Sequence, residues 1–140
     1  MELNDSIYSY LSSITDITDL TSTRIYPDQQ VQKNGYTYPY ITYDMVSEIE
    51  VDTIKEQDNM LISSAYQFDV WASTRTSAKA VAKQIRKAFK GFKDVMGTNG
   101  VTISAIEKIN ASSGLETNAE GRVIAFREML EFQIWHYETD

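Results

Sequence analysis

Apolar residues recur at Leu3, Ile7, Leu11 and Ile14, a spacing that puts them on one face of a helix. Asn4, Asp5 and Ser6 are candidate caps for its start, and the Thr- and Asp-rich TDITDLTSTR closes it. The short strand RIYP stops at Pro27, before a polar loop, DQQVQKNGYTY, that carries an Asn34-Gly35 turn signal. Alternation then predicts a long strand over Pro39–Asp52. Ile41, Tyr43, Met45, Ile49 and Val51 share one parity, and Thr42, Asp44, Glu48, Glu50 and Asp52 share the other; Val46 and Ser47 are the exceptions. A charged loop, TIKEQDN, leads to a second strand, Leu61–Ala72, with Tyr66, Phe68, Val70 and Ala72 as its inner row.

The period then changes. Ala78, Val81, Ala82, Ile85 and Phe89 fall on one side of a helix, with Thr74, Thr76 or Ser77 as its cap. GFKDVMGTNG ends it with three glycines. Two strands remain, VTISAIEKI and RVIAFREMLEFQIWHYE, separated by the polar loop NASSGLETNAEG. In the last strand Leu130, Phe132, Ile134 and His136 share a parity opposite to Met129, Glu131, Gln133, Trp135 and Tyr137. The order α-β-β-β-α-β-β predicts an α+β fold: an antiparallel sheet of four to five strands with two helices on one face. Its 140 residues form one domain, 1–140, long enough to bury a core without crosslinks.

Composition removes most chemistry. There is no cysteine and one histidine, so His/Cys metal sites and thiol nucleophiles are excluded, and His136 reads as structural. The acidic segment Asp52–Asp58 lacks the spacing and central glycine of a calcium loop, and no glycine run matches a phosphate-binding fingerprint. Pairs such as Glu128 with Glu131, or Asp44 with Glu48, read as solvated strand faces. No enzyme activity and no cofactor is expected. No apolar run has membrane-spanning length, and the start MELNDSIYSYL lacks the pattern of a secretory signal; the absence of cysteine permits cytosolic assembly.

Charge supplies the one strong anomaly. The net charge is −7, yet Arg75, Lys79, Lys83, Arg86, Lys87, Lys90 and Lys93 follow one another with no acid between them until Asp94. That leaves six of the 13 basic residues against all 20 acidic ones, a balance of −14 for the rest of the chain. Lys79/Lys83, Lys83/Lys87 and Arg86/Lys90 are like-charge neighbours one turn apart, each costing about 0.2–0.5 kcal/mol. The helix face is a solvated surface, a nucleic-acid grip or a docking face. The surrounding acidity weighs against phosphate binding. Asp44, Glu48, Glu50 and Asp52, on one strand, offer a complementary surface. Two unlike patches on one protomer permit head-to-tail contacts, which build rings if the rotation closes.

Several pieces in order carry a resemblance. These are an amphipathic first helix, RIYP, the aromatic strand YPYITYDMVSE, the strand YQFDVWAST running straight into SAKAVAKQIRKAF, and the final EMLEFQIWHYE. Over nearly its whole length the chain resembles the tail-completion, or tail-terminator, proteins of long-tailed bacteriophages and prophages. The resemblance implies a structural protein without catalytic residues. Such a protein assembles as a ring, commonly a hexamer, on the finished tail tube, halts tube growth and offers the surface that joins the head-tail connector. It implies a place at the neck of the virion after assembly in the host cytoplasm, with DNA passing through the lumen unbound. The polar loops Asp28–Tyr38 and Asn110–Gly121 are expected to reach out and order on partners. The alternatives are another neck or head-completion protein, or a nucleic-acid-binding module using residues 75–93.

Overall fold

The computed structural model describes residues 2–27, 37–56 and 59–139, with backbone only at 52–56, 59, 138 and 139. The elements are α1 (Leu3–Ser12), α2 (Thr15–Thr21), β1 (Ile25–Pro27), β2 (Tyr40–Glu56), β3 (Asn59–Ala72), α3 (Arg75–Phe89), β4 (Thr102–Thr117) and β5 (Val123–Thr139). The strands make one sheet ordered β1-β2-β3-β5-β4. The α+β class is the expected one. The sheet is mixed, however, because β1 runs parallel to β2 while the other neighbours are antiparallel.

Helix α1 buries Leu3, Ile7 and Leu11 along its predicted stripe. Its N-cap is Glu2, and Ser6, one of the expected caps, is instead buried inside the helix. TDITDLT does not merely close α1: it forms α2. Ile14 turns extended and heads this second helix, which buries Ile17 and Thr21, one turn apart. The Thr21 hydroxyl donates to the Ile17 carbonyl at 3.2 Å, so a polar residue fits the inward face.

The core lies between the helices and the face of the sheet bearing Ile41, Tyr43, Tyr66, Phe68, Val70, Leu130, Phe132 and Ile134. Phe68 sits at its centre, 5.3 Å from Phe89 of α3 and 5.7 Å from Phe132 of β5 between ring centroids. Phe89 meets Phe132 edge-on at 5.0 Å, an arrangement the ring quadrupole favours. Tyr10 ties the two longer helices together. Its ring lies 4.5 Å from Phe92, and its hydroxyl donates to the Ala88 carbonyl at 2.6 Å.

The glycine-rich segment after α3 lies directly on α1. The Thr98 and Val101 N–H groups donate to the Ser9 and Ser6 hydroxyls, each at 3.0 Å. Gly97 has φ +75°, and a Cβ there would stand 2.7 Å from the Ser9 Cβ. Only glycine allows both the left-handed turn and this close approach.

The four long strands, of 14 to 17 residues, exceed the usual 3–10 and run past the helices. Two segments read as loops are therefore strand. In TIKEQDN the β2–β3 ladder continues through Lys55↔Met60 and Glu56↔Asn59. Asn110–Thr117 pairs with β5 down to Thr117↔Val123, which leaves only a short turn. Asn110–Thr117 is exposed on both faces, so no apolar alternation marks it. Of the two expected reach-out loops, the second is thus largely hairpin, and 28–36 lie outside the described residues.

Candidate functional site

The chemistry of α3 is that of an anchored amphipathic rod. The Thr74 hydroxyl accepts from the Ser77 N–H at 3.1 Å, capping the first turn. Ala78, Val81, Ala82, Ile85 and Phe89 are fully buried, which fixes the opposite side outward. Lys79, Lys83, Arg86, Lys87 and Lys90 are all exposed there. None of these five forms an ion pair among the described residues. Arg86 and Lys87 fall in the last turn, where the helix dipole favours them.

Arg75 leaves this group. Its guanidinium turns onto the sheet, 3.1 Å from the Glu128 carboxylate and 5.0 Å from the Phe126 ring centroid. Glu128, expected on a solvated face, is buried by this contact. The predicted basic surface is therefore a five-residue stripe along α3, continued by the exposed Lys93.

The acidic row on β2 is split by register. Asp44 pairs across from Gln67, but Val46 is bulged out, and pairing resumes at Ser47↔Ala65. Directly opposed residues share a face, and one extra residue reverses the parity downstream. Glu48 and Glu50, opposite Ser64 and Ile62, consequently lie on the face that carries the helices. Asp44 lies on the other face, with Ile49. A single outward row of Asp44, Glu48 and Glu50 does not exist, and the Asp52 side chain is outside the described residues. Glu48 and Glu50 are exposed, as is Ile49 at 63%.

The face without helices is held by a polar network. Asp69 accepts from the Arg127 guanidinium at 2.8 Å and from the Gln67 amide at 3.0 Å. Arg127 also stands over the Trp71 ring at 5.5 Å, and the Trp71 indole donates to the Thr42 hydroxyl at 3.3 Å. Asp69 is only 2% exposed although no helix covers it. Such pairing satisfies a charge that would otherwise be costly to desolvate. Sequence alternation places Asp69 on this face but carries no sign of its partner, which is 58 residues away.

His136 is a core residue on the helix-side face. It is 1% exposed, and Nε2 lies 2.9 Å from the Ser64 hydroxyl. Burial lowers its pKa from 6.5 to about 4. The imidazole is therefore neutral near neutral pH and is shielded from any substrate. Among the described residues no three acids or histidines gather in a way that would hold a metal, and no helix is long and apolar enough to cross a membrane.

What the arrangement offers is surface: a basic helix stripe, two acids turned to the same face by a bulge, and long projecting hairpins. Residues 5–136 match the family model described as Tail completion protein gp17. The chain belongs to that family. As a tail completion protein it is a structural component of phage tails. The fold is also that of a chain in the solved virion of a native gene transfer agent particle. That chain is 17% identical, with 97% of this chain and 95% of that chain covered and a TM-score of 0.73. Another solved chain, 11% identical over 96% of each, reaches a TM-score of only 0.43. No curated protein matches.

Proposed function

We propose that this tail completion protein closes the finished tail tube as a hexameric ring, stops further addition of tube subunits and presents the surface to which the head-tail connector joins. The observation that carries this reading is the family match over residues 5–136. The likeness to a chain of a gene transfer agent virion is consistent with a place in the virion, at the neck. Assembly takes place in the host cytoplasm, and the acidic remainder of the chain lets DNA slide through the lumen unbound. The exposed lysine stripe of α3 and the acids of β2, Asp44, Glu48, Glu50 and Asp52, supply contacts within the ring or to its neighbours.

The test is tube growth in vitro. Polymerising tail-tube protein is mixed with this protein, and lengths and ends are measured by electron microscopy. End-bound rings and arrested growth are expected. Tubes that keep growing with bare ends would overturn the reading, as would a protein that ignores tubes but shifts oligonucleotides at physiological salt.

A further inference from the structure

Sheet order leaves this protomer with two different edges. On one side β1 covers β2 only from Ile41 to Tyr43, and among the described residues no strand flanks β2 from Met45 onward. On the other side β4 has β5 as its neighbour, and among the described residues its outer edge meets only the single bridge Val95↔Thr102. Long exposed edges are templates for pairing with another chain.

Three features point to a second copy as the occupant. First, successive neighbours from β2 to β4 are antiparallel, so β2 and β4 run in opposite directions. A copy placed beside the first in the same orientation sets its β2 antiparallel to β4, continuing the ladder. Second, exposed large apolar side chains gather at these two edges. Met45 and Ile49 are 48% and 63% exposed on β2, and Ile109 and Leu115 are 47% and 55% exposed on β4. Bulges at Val46 and Ile109 frame the regular runs Ser47–Glu50 and Asn110–Glu116 that are free to pair.

Third, the bulge at Val46 puts Glu48 and Glu50 on the helix-bearing face. In a continued sheet that is the side on which the neighbour's α3 lies, with Lys79, Lys83 and Lys87 on the helix surface turned away from the sheet. Without the bulge these acids would lie on the opposite face, away from the lysines.

We infer that copies of this protein join head to tail through the β2 edge, Met45–Val51, of one protomer and the β4 edge, Ala105–Thr117, of the next, extending the sheet across subunits. The inference specifies the contact of the ring proposed above. The interface is heterologous, and where the rotation from one copy to the next divides the full turn, repetition closes a ring and leaves no free edge.

The test uses native mass spectrometry of the full chain from micromolar to millimolar concentration. One variant carries Met45→Lys and Ile49→Lys, the other Ile109→Lys and Leu115→Lys; all four positions are exposed, and circular dichroism verifies folding. Glutamates at the same positions replace the lysines if a variant unfolds. Wild type is expected to form ring-sized species. Each variant alone should self-associate at least tenfold more weakly, and an equimolar mixture should stop at a one-to-one pair through the remaining intact edges. A wild type that stays monomeric overturns the inference, as does a variant that assembles normally or pairs with itself. Tube capping that survives such a result would leave the proposed function standing without this contact.

Discussion

The Arg75 guanidinium lies 3.1 Å from the carboxylate of Glu128, joining the first turn of α3 to the middle of β5. Glu128 is the buried partner and Arg75 the part-exposed one, with side chains 7% and 33% accessible. Replacing Arg75 with Met strands a buried carboxylate, an expected loss of about 1–3 kcal/mol in urea unfolding. The double variant Arg75→Met/Glu128→Leu should recover most of it, since an apolar pair needs no partner. A single variant as stable as wild type would mean that water already serves Glu128.

His136 makes stability depend on acidity in a defined window. Its folded pKa is lowered to about 4 against an ordinary 6.5. Above pH 6.5 both states are neutral and the contribution is complete. Between pH 6.5 and 4 the unfolded chain takes up a proton that the folded chain refuses, so stability falls as pH falls. By pH 4 this group should account for a loss of roughly 2–3 kcal/mol. The sequence has one histidine, so its NMR titration is unambiguous. A midpoint near 6.5 in the folded protein would refute the burial argument.

Thr74 tests the start of α3. Its hydroxyl satisfies the Ser77 N–H, which has no carbonyl partner within the helix. Thr74→Ala should cost about 1 kcal/mol, and Thr74→Ser much less, by thermal or urea unfolding. Equal loss in both variants would show that the methyl group, not the hydroxyl, matters.

The lysine stripe separates function from stability. Lys83 has Lys79 and Lys87 one turn to either side, so Lys83→Glu turns two repulsions into two attractions. It should raise helix stability by a few tenths of a kcal/mol or more. If the stripe meets Glu48 and Glu50 of a neighbour, the reversal Lys83→Glu/Lys87→Glu should weaken assembly at least tenfold. Adding Glu48→Lys/Glu50→Lys should restore it. Assembly indifferent to both changes would remove the stripe from the interface.

Much of this was legible where one face is buried and the other wet. The stripe Ala78, Val81, Ala82, Ile85, Phe89 and the row Leu130, Phe132, Ile134, His136 carry clean periods because water and core compete for them. The second helix was hidden because threonine and aspartate dominate TDITDLT, and a single buried isoleucine makes no stripe. The hairpin ends were hidden for the opposite reason. Asn110–Thr117 meets water on both sides, so its residues are chosen without regard to face. Arg75 looked like one more surface cation. Only the fold brings Glu128, 53 positions away, beneath it.

The extra residue at Val46 works on this strand as a one-letter insertion works on a reading frame. Upstream, odd positions such as Ile41 and Tyr43 point to the core; downstream, even positions such as Glu48 and Glu50 take the same side. Removing Val46 would straighten the strand but keep Ser47 opposite Ala65 and Glu48 opposite Ser64, so each residue that follows would hold its present face. The bulge thus sets which parity of the sequence, odd or even, reaches the helix-bearing face in the run that follows, with the core pattern upstream untouched.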